Sequence, residues 1–247
     1  MSFTGNTILI TGGTSGIGRA LAEALQRKGN TVIIAGRRKN LLDEVTRANP
    51  GMQGVELNMD DASDIARVAQ QLARDYPALN AVVNNAGIMR PEDVKKGELE
   101  TAEAIITTNL LGPLRLTTAL MPHFLKQPSA TIFTVSSGLA FVPLALTPTY
   151  NATKAAIHSY TMSLRYQLRD TNIKVREIIP PWVATELMGS APTDPRAMPL
   201  ADFIKEAVEL IDTNADEITV QRVLPLRNAA KGDELAFFKT FNDSAPH

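Results

Sequence analysis

The side chains with the clearest capacity for chemistry are a tyrosine and a lysine four positions apart, Tyr150 and Lys154. In a helix this spacing places both on one face, so that the phenol and the ammonium can act together. A free tyrosine loses its proton near pH 10, roughly, and a neighbouring positive charge favours the phenolate. The pair is therefore a candidate for proton exchange near neutral pH. The same spacing is also that of an ordinary amphipathic helix face.

Two consecutive serines, Ser136 and Ser137, precede this pair at the end of a predicted strand. A serine hydroxyl can hydrogen-bond a substrate oxygen and stabilise the negative charge that develops on it. Because adjacent side chains of a strand point to opposite faces, only one of the two serines can reach a shared site.

A glycine-rich turn lies near the start of the chain, where Thr11-Gly-Gly-Thr-Ser-Gly-Ile-Gly18 follows a predicted strand and opens a helical pattern. At such a junction the helix N-terminal amides can bind the pyrophosphate of a dinucleotide, and glycine lets the backbone approach closely. We therefore expect cofactor contacts from Gly12, Thr14, Ser15, Gly16, Ile17 and Gly18. The alternative is a glycine turn without a ligand.

The elements that must position these residues alternate along the chain. Strand-like runs rich in β-branched residues occur at Thr7–Ile10, Thr31–Ile34, Ala81–Val83, Thr131–Val135 and Lys174–Ile179. Helical patterns occur at Arg19–Lys28, Leu41–Arg47, Ala62–Tyr76, Glu98–Gln127, Thr153–Arg169 and Leu200–Ile211, and Thr219–Leu226 is predicted as a last strand. This alternation predicts an α/β fold with a Rossmann-type, doubly wound parallel sheet flanked by helices.

Composition narrows the class of protein further. The 247 residues, with 44% hydrophobic residues, 21% charged residues and a net charge of -1, predict one globular domain over residues 1–247 and no nucleic-acid partner. The absence of cysteine excludes disulfides, thiol catalysis and cysteine-ligated metals. The apolar run Ile8–Ile10 is too short for a signal sequence or a membrane span, so we expect a cytoplasmic protein.

His158 is the one residue here that could suggest a metal site. It lies a further helical turn beyond Lys154, but no second ligand pattern accompanies it in the sequence. We therefore predict no metal and interpret His158 as a packed or interface residue.

Taken together, the motifs resemble those of the short-chain dehydrogenase/reductase family. The family's features occur in order: the Gly-x-x-x-Gly-x-Gly spacing, Asn84-Asn-Ala-Gly87 after the predicted strand Ala81–Val83, Asn109 in the long helix, Ser137, and Tyr150 thirteen residues later. The resemblance covers nearly the whole chain. One branch is especially similar, the oxidoreductases found beside genes for D-alanylation of lipoteichoic acid in some bacteria, on the stretches Asn6–Gly18, Phe141–Arg165, Ile179–Leu187 and Gln221–Arg227.

The resemblance implies hydride transfer between a nicotinamide cofactor and a carbonyl or alcohol substrate. Tyr150 would be the general acid or base, Ser137 rather than Ser136 would bind the substrate oxygen, and Lys154 would also bind the cofactor ribose. Oxidised nicotinamide would favour the tyrosine phenolate further. Asn109 would bend its helix and hold a water that connects the lysine to solvent, and Gly112 and Pro113 support an irregular helix there.

Several further residues are predicted to contact the cofactor. They are Asn85, Ala86 and Gly87 beside the ribose, and Pro180, Val183 and Thr185 beside the nicotinamide. Asn84 could instead bridge neighbouring strands without touching the cofactor. Pro181 stands where the family usually has glycine, which removes a backbone donor and fixes φ.

The residues after the strand Thr31–Ile34, together with Asn58 and Met59, predict which nicotinamide cofactor is used. Gly36 occupies the place where NAD-preferring relatives have an aspartate, and Arg37 follows it. A guanidinium suits the 2′-phosphate of NADP, so we predict NADP(H). The alternative is that Arg37 is a solvated surface residue. Asn58 replaces the usual adenine-contacting aspartate, and with Met59 it is expected at the adenine through its amide oxygen.

The substrate side is less defined by the sequence. Apolar residues suggest a small carbonyl or alcohol substrate with an apolar portion, although core or dimer packing explains them equally well: Leu139, Phe141, Val142, Trp182, Leu187 and Met188. Residues 186–206, rich in proline at the start, are predicted to form a substrate lid.

Apolar positions in Ala102–Leu120 and Ala152–Leu168 predict a homodimer or homotetramer, as in the family.

Two other functions stay open at this point. The chain could bind NADP as a redox sensor or scaffold without turnover, since a fold alone does not guarantee catalysis. It could also use transient hydride transfer for epimerisation or dehydration, with no net change in the cofactor.

Overall fold

The fold is built on one parallel sheet. The structure is a computed structural model and describes residues 2–189, 194–229, 240, 243 and 244. Within these residues seven strands form the sheet, namely β1 Thr7–Thr11, β2 Thr31–Gly36, β3 Gln53–Glu56, β4 Leu79–Asn84, β5 Ala130–Val135, β6 Ile173–Ile179 and β7 Glu217–Thr219. The helices described are α1 Gly16–Arg27, α2 Lys39–Ala48, α3 Ala62–Asp75, α4 Glu100–Ile106, α5 Gly112–Phe124, α6 Pro148–Gln167, α7 Leu200–Ile211 and α8 Leu224–Arg227.

The order of the strands defines where a ligand can enter. The sheet runs β3-β2-β1-β4-β5-β6-β7, and every neighbouring pair is parallel. The chain starts at β1, builds outward to β3, and then returns to place β4 on the other side of β1. This reversal leaves a crevice at the carboxyl ends of β1 and β4, which is where doubly wound sheets bind ligands. The predicted single-domain α/β fold is confirmed.

Strand alternation divides the core into two layers. Ile8 and Ile10 of β1 belong to the cluster beneath α1, α2 and α7, whereas Leu9 between them belongs to the cluster beneath α3, α5 and α6. Because all three side chains are fully buried, both faces of the central strand are covered. None of the helices in the part of the chain that the structure describes is long and apolar enough to cross a bilayer.

The long predicted helix at 98–127 contains a break. Between α4 and α5 lies one π-helical turn, Thr107–Leu111. Pro113 has no N–H to donate to the carbonyl oxygen of Asn109, so the regular α-helical bond cannot form there. The irregularity expected from Gly112 and Pro113 is therefore present in the structure.

The predicted last strand at 219–226 is wrong over most of its length. β7 ends at Thr219, a 3-10 turn covers Gln221–Val223, and α8 follows. Pro225 lies in the first turn of α8, where its missing N–H has no helical partner to lose, whereas it would remove a bond from a strand ladder. By contrast, α7 spans the predicted residues 200–211.

Candidate active site

A large cleft lies at the carboxyl ends of the strands. It has a volume of about 780 Å³, within the range of small-molecule and cofactor sites. Its walls come from the glycine turn after β1, the ends of β2 and β4, the turn after β5, the start of α6 and the segment after β6. The topology therefore brings together motifs that are far apart in the sequence.

The glycine turn has the tight geometry that its sequence predicts. Gly12 and Gly16 have φ of +66° and +52°, in the left-handed region that favours glycine. A Cβ on Gly12 would lie 2.9 Å from the Cα of Ala86, and one on Gly18 would overlap the carbonyl oxygen of Gly12. α1 begins at Gly16 without a side-chain cap and without an acidic residue in its first turn. Its free amides and positive dipole end therefore suit an anion such as pyrophosphate.

The end of β4 is tied to this turn. The Thr11 hydroxyl accepts from the backbone N–H groups of Asn85 and Ala86, each at 3.0 Å, and the Asn85 side chain donates to the Thr11 carbonyl at 2.9 Å. These bonds fix two walls of the cleft relative to each other. Asn84 points elsewhere, since its amide donates to the hydroxyl of Thr117 on α5 at 3.1 Å and it does not line the cleft. Asn84 therefore joins β4 to a helix rather than to a neighbouring strand, and only the expectation that it lies away from the cofactor cleft agrees with its position.

Most of the predicted cofactor residues line this one cleft. They are Gly12, Thr14, Ser15, Gly16, Ile17, Gly18, Arg37, Met59, Asn85, Ala86, Gly87, Tyr150, Lys154, Pro180, Val183 and Thr185. Asn58 differs, because it lines a separate small pocket and its amide oxygen accepts from the backbone N–H of Asp60 at 3.1 Å. The prediction that this oxygen reaches the adenine is therefore not supported by its position.

Asp60 is a cleft residue that the sequence reasoning missed. Its carboxylate forms an ion pair with Arg37 at 3.1 Å and accepts from the hydroxyl of Thr108. The Arg37 side chain is still 57% exposed at the mouth of the cleft, so it can exchange this partner for another anion. The sequence contains only a weak indication that Asp60 lies in the cleft, namely that it is an acidic residue two positions after Asn58.

Tyr150 lies deep in the cleft. It is buried at the start of α6, and a hydrogen bond joins its hydroxyl to that of Ser137. Burial disfavours the phenolate and raises the pKa of Tyr150 to about 12, while the bond with Ser137 acts in the opposite direction. The lowered pKa expected beside Lys154 is thus wrong for the protein without a ligand.

Lys154 is buried one turn further along α6. Its Nζ donates to the backbone carbonyl of Val135 at 2.8 Å and lies 5.5 Å from the centre of the Tyr150 ring. Burial lowers the pKa of Lys154 to about 8, and the carboxylate of Glu177 opposes this change. Both members of the pair are therefore shifted towards their neutral forms.

The two serines have different environments. Besides its bond with Tyr150, the Ser137 side chain accepts from the backbone N–H of Leu139 at 3.1 Å. The Ser136 hydroxyl is buried and has no hydrogen-bond partner among the described residues. The geometry therefore favours Ser137 as the serine that acts with Tyr150.

Asn109 lies in the π-helical turn behind the cleft wall. Its side chain accepts from the N–H of Ile88 and donates to the carbonyl of Ile88, both at 2.8 Å. Asn109 is 1% exposed and does not line the cleft itself. Its side chain holds the backbone of Ile88 in the segment that follows Gly87, and the water-binding role implied by the family stays a prediction.

The substrate end of the cleft is mainly apolar. Of the predicted residues, Leu139, Trp182, Leu187 and Met188 line it, together with Leu144, Leu146 and Leu226, which the sequence reasoning missed. Phe141 and Val142 do not line it. The Phe141 ring instead packs edge-on against His158 and beneath Arg227, and Val142 is buried. Pro181 does line the cleft, at the position where a glycine was expected.

The segment predicted as a lid is partly anchored. Met198 exchanges backbone bonds with Trp182 and Ala184, each at 2.8 Å, and residues 200–206 belong to α7. Residues 190–193 lie outside the described residues, and closure of residues 186–206 as a lid stays a prediction.

His158 has neighbours that the sequence did not reveal. Its Nδ1 lies 2.9 Å and 3.1 Å from the two carboxylate oxygens of Glu177, and Glu217 completes a group with ligand atoms within 4.8 Å of one another. Arg227 forms two bonds with the Glu217 carboxylate, at 2.8 Å and 2.9 Å. The cluster thus pairs each carboxylate with a nitrogen donor already present in the chain.

Comparison with known proteins identifies the class to which this fold and cleft belong. The family model of the short chain dehydrogenases matches residues 6–196, and the chain belongs to this family. An oxidoreductase of Bacillus subtilis (strain 168), DltE, described as uncharacterized, is 40% identical over 98% of each chain. A second uncharacterized oxidoreductase, SSP0419 of Staphylococcus saprophyticus, is 30% identical over 87% of this chain and 96% of its own. The predicted family and branch are confirmed.

Solved structures share the fold. A short chain dehydrogenase from Burkholderia cenocepacia J2315, in complex with NADP, matches with a TM-score of 0.84 and 24% identity over the full length of both chains. A short-chain dehydrogenase from Sphingobium yanoikuyae, in complex with NADPH, matches with a TM-score of 0.81 and 26% identity over 98% of this chain and 96% of its own. The chain is thus an oxidoreductase of the short-chain family.

Proposed function

We propose that the protein transfers a hydride between NADP(H) and a small carbonyl or alcohol substrate, with Tyr150 as the general acid or base. The observation that carries this proposal is the meeting of Tyr150, Ser137 and Lys154 at the end of a cleft whose other end is the glycine turn. A nicotinamide dinucleotide is an extended molecule with an anionic centre and a reactive ring at one end. The backbone amides of the glycine turn suit the anionic centre, and the proton donor Tyr150 lies at the end of the cleft where the reactive ring would bind.

The residues present fit such a cofactor. Gly12 and Gly18 let the turn fold tightly against Ala86 and Asn85, because a Cβ at either position would clash with the chain itself, and the uncapped helix N-terminus supplies donors for the pyrophosphate. Lys154 would bind ribose hydroxyls of the cofactor, and Thr185 lies beside Gly16 at the glycine turn. When bound, the nicotinamide supplies or accepts the hydride.

The protein's own residues handle the proton. In reduction, the Tyr150 hydroxyl donates its proton to the oxygen of the former carbonyl, and Ser137 donates a hydrogen bond to the same oxygen. In oxidation, the Tyr150 phenolate removes the proton from the alcohol. The Lys154 ammonium stabilises that phenolate by its charge. The apolar walls around Leu139 and Trp182 exclude water from this end and support a substrate with an apolar portion.

Arg37 supports NADP(H) over NAD(H). The end of β2 has Gly36 rather than an acid, which leaves room beside Arg37, and the guanidinium is exposed at the cleft mouth. The 2′-phosphate would either replace Asp60 as the partner of Arg37 or bind Arg37 together with Asp60. The guanidinium can form two parallel hydrogen bonds with phosphate oxygens. The solved relatives from Burkholderia and Sphingobium carry NADP and NADPH respectively, which agrees with this proposal.

Removal of the Arg37 guanidinium should reduce the preference for NADP. We expect Arg37→Ala to lower the ratio of NADP to NAD affinity by about tenfold or more, since charge-assisted bonds contribute ~1.5–3 kcal/mol each and this site is exposed. Titration of both cofactors into the protein measures the ratio. Lys39→Ala, which removes a nearby cation paired with Asp43, is the control and should leave it unchanged. An unaltered ratio in Arg37→Ala would refute the assignment.

Removal of the Tyr150 hydroxyl should abolish turnover without loss of cofactor. A panel of aldehydes, ketones and alcohols, followed at the NADPH absorbance band, identifies a substrate for the wild type. With it, Tyr150→Phe should lose about 10²-fold or more in kcat, because general acid catalysis is lost, and bind NADP as before. Tyr166→Phe, on the exposed part of the same helix, is the control.

The same panel separates the other functions. Retained turnover in Tyr150→Phe would contradict the role of this residue. Substrate conversion without a stoichiometric change in NADPH absorbance would point to epimerisation or dehydration. NADP binding without conversion of any compound would favour a sensor or scaffold.

We also propose that the protein forms a homodimer or homotetramer. Apolar side chains stay exposed on the helices that the family pairs: Ile106, Leu111, Met162 and Tyr166. Burial of such side chains against a second copy would be favourable. Sedimentation at micromolar concentration should show a species of at least twice the monomer mass, and a monomer alone would contradict this.

A further inference from the structure

A buried carboxylate lies beneath the helix that carries Tyr150 and Lys154. Glu177 of β6 is 0% exposed. In the sheet it stands in register with Thr134 of β5 and Glu217 of β7, so these three side chains share one face. α6 covers that face, as the bond between the hydroxyls of Thr134 and Thr161 demonstrates. A charge buried at such a place is costly unless it is paired.

One partner of Glu177 is His158. The Nδ1 atom of His158 lies within hydrogen-bond distance of both carboxylate oxygens, at 2.9 Å and 3.1 Å. This contact fixes the carboxylate against α6. Glu217, by contrast, is bound through both oxygens by Arg227.

A second group near Glu177 is the Lys154 ammonium. Tyr150, Lys154 and His158 follow one another at intervals of four residues and lie along one face of α6. His158 therefore holds Glu177 one helical turn from Lys154. The hydrogen bond that Nζ makes is to a neutral carbonyl, that of Val135, and Glu177 is the acid whose charge favours the ammonium.

We propose that Glu177, held by His158, is a positioning residue whose buried carboxylate keeps Lys154 charged beside Tyr150. It acts on the reaction through Lys154 and touches neither substrate nor cofactor. The inference rests on the proposed function in so far as the Lys154 charge serves the proton transfer at Tyr150. Without this counter-charge, burial would favour the neutral amine, which stabilises a phenolate far less.

The charged groups around the pair are consistent with this assignment. They are Lys154, His158 and Arg165 on α6, Glu177 on β6, Glu217 on β7, Arg227 on α8, and Asp216 just before β7. Arg227 is bonded to Glu217 and also interacts with the charge of Glu177, and Glu177 is the acid whose charge acts on Lys154. A metal ion at His158, Glu177 and Glu217 would have to displace the two bonds from Arg227.

The direct test measures the protonation of Lys154 itself. Lysine labelled with ¹³C at Cε reports the titration by NMR, and Lys154→Met identifies the resonance. In the wild type the pKa of Lys154 is about 8. We expect Glu177→Gln to lower it by roughly one unit, the order of effect of one nearby opposite charge. Glu177→Asp, which retains the charge, should restore most of the shift.

Glu217→Gln is the matched control. It removes a carboxylate from the same row of the sheet, one strand further from β5, and should shift the Lys154 pKa less than Glu177→Gln does. The proposal would be overturned if Glu177→Gln left the pKa of Lys154 unchanged, or if Glu217→Gln shifted that pKa as much as Glu177→Gln does.

A stability cycle keeps the proposal testable if Glu177→Gln folds poorly. Because this change leaves a buried ammonium without its counter-charge, it should destabilise the wild type more than it destabilises the Lys154→Met protein. Urea unfolding of the four proteins measures the difference. If the single variant does not fold, the double variant should still fold. Equal losses in both backgrounds would contradict the coupling.

Neither test uses turnover, so the two proposals can fail separately. A protein that reduces no carbonyl compound but shows the expected Lys154 shift would refute the proposed function and leave the electrostatic pairing intact. An active enzyme in which Lys154 titrates identically with and without the Glu177 carboxylate would refute the positioning role alone.

Discussion

Burial of Tyr150 and Lys154 is the constraint on which the proposed chemistry depends. Both side chains lie at the start of α6, against the end of the sheet, where desolvation favours a neutral phenol and a neutral amine. The reaction that we propose needs the opposite charge state for part of its cycle, with phenolate beside ammonium. Charges outside the pair must therefore stabilise the phenolate and the ammonium. They belong to the bound nicotinamide, the substrate oxygen and the acids beneath the helix. The same desolvation strengthens each of these interactions once they are made.

The fold provides this environment by its strand order. Because β4 crosses to the other side of β1, the glycine turn after β1 and the residues after β4 meet across one crevice, tied by Thr11 and Asn85. β5 and β6 extend the same edge and place Ser137 opposite α6. Most of the strands and helices that line the cleft contribute only one or two residues each, so its precision depends on the packed core on both faces of the sheet. The π-helical turn at Asn109 is one local departure from regular structure, and it braces Ile88 next to the cleft wall.

Local motifs were predictable from the sequence, and contacts between distant residues were not. The Tyr150 and Lys154 spacing, the glycine turn and the strand-helix alternation depend on neighbouring residues, and the structure has each of them. The ion pair of Arg37 with Asp60 and the contact of His158 with Glu177 join separate elements whose register no local pattern reveals. The environment of Asn58 was not predictable either, since its amide oxygen accepts from Asp60 and its side chain lines a separate small pocket. Pro225 was overlooked as a signal that the last strand had ended.

The central claim is that a buried tyrosine becomes a usable acid or base only through the charges placed around it. Tyrosine labelled with ¹³C at Cζ permits a direct measurement, namely the pKa of Tyr150 by NMR without and with saturating NADP⁺, its resonance identified from Tyr150→Phe. Because burial dominates in the free protein, Tyr150 should stay a phenol up to the limit of protein stability, in line with a pKa of about 12, and NADP⁺ should lower this pKa markedly. A Tyr150 pKa that does not change when NADP⁺ binds would contradict this dependence on the surrounding charges.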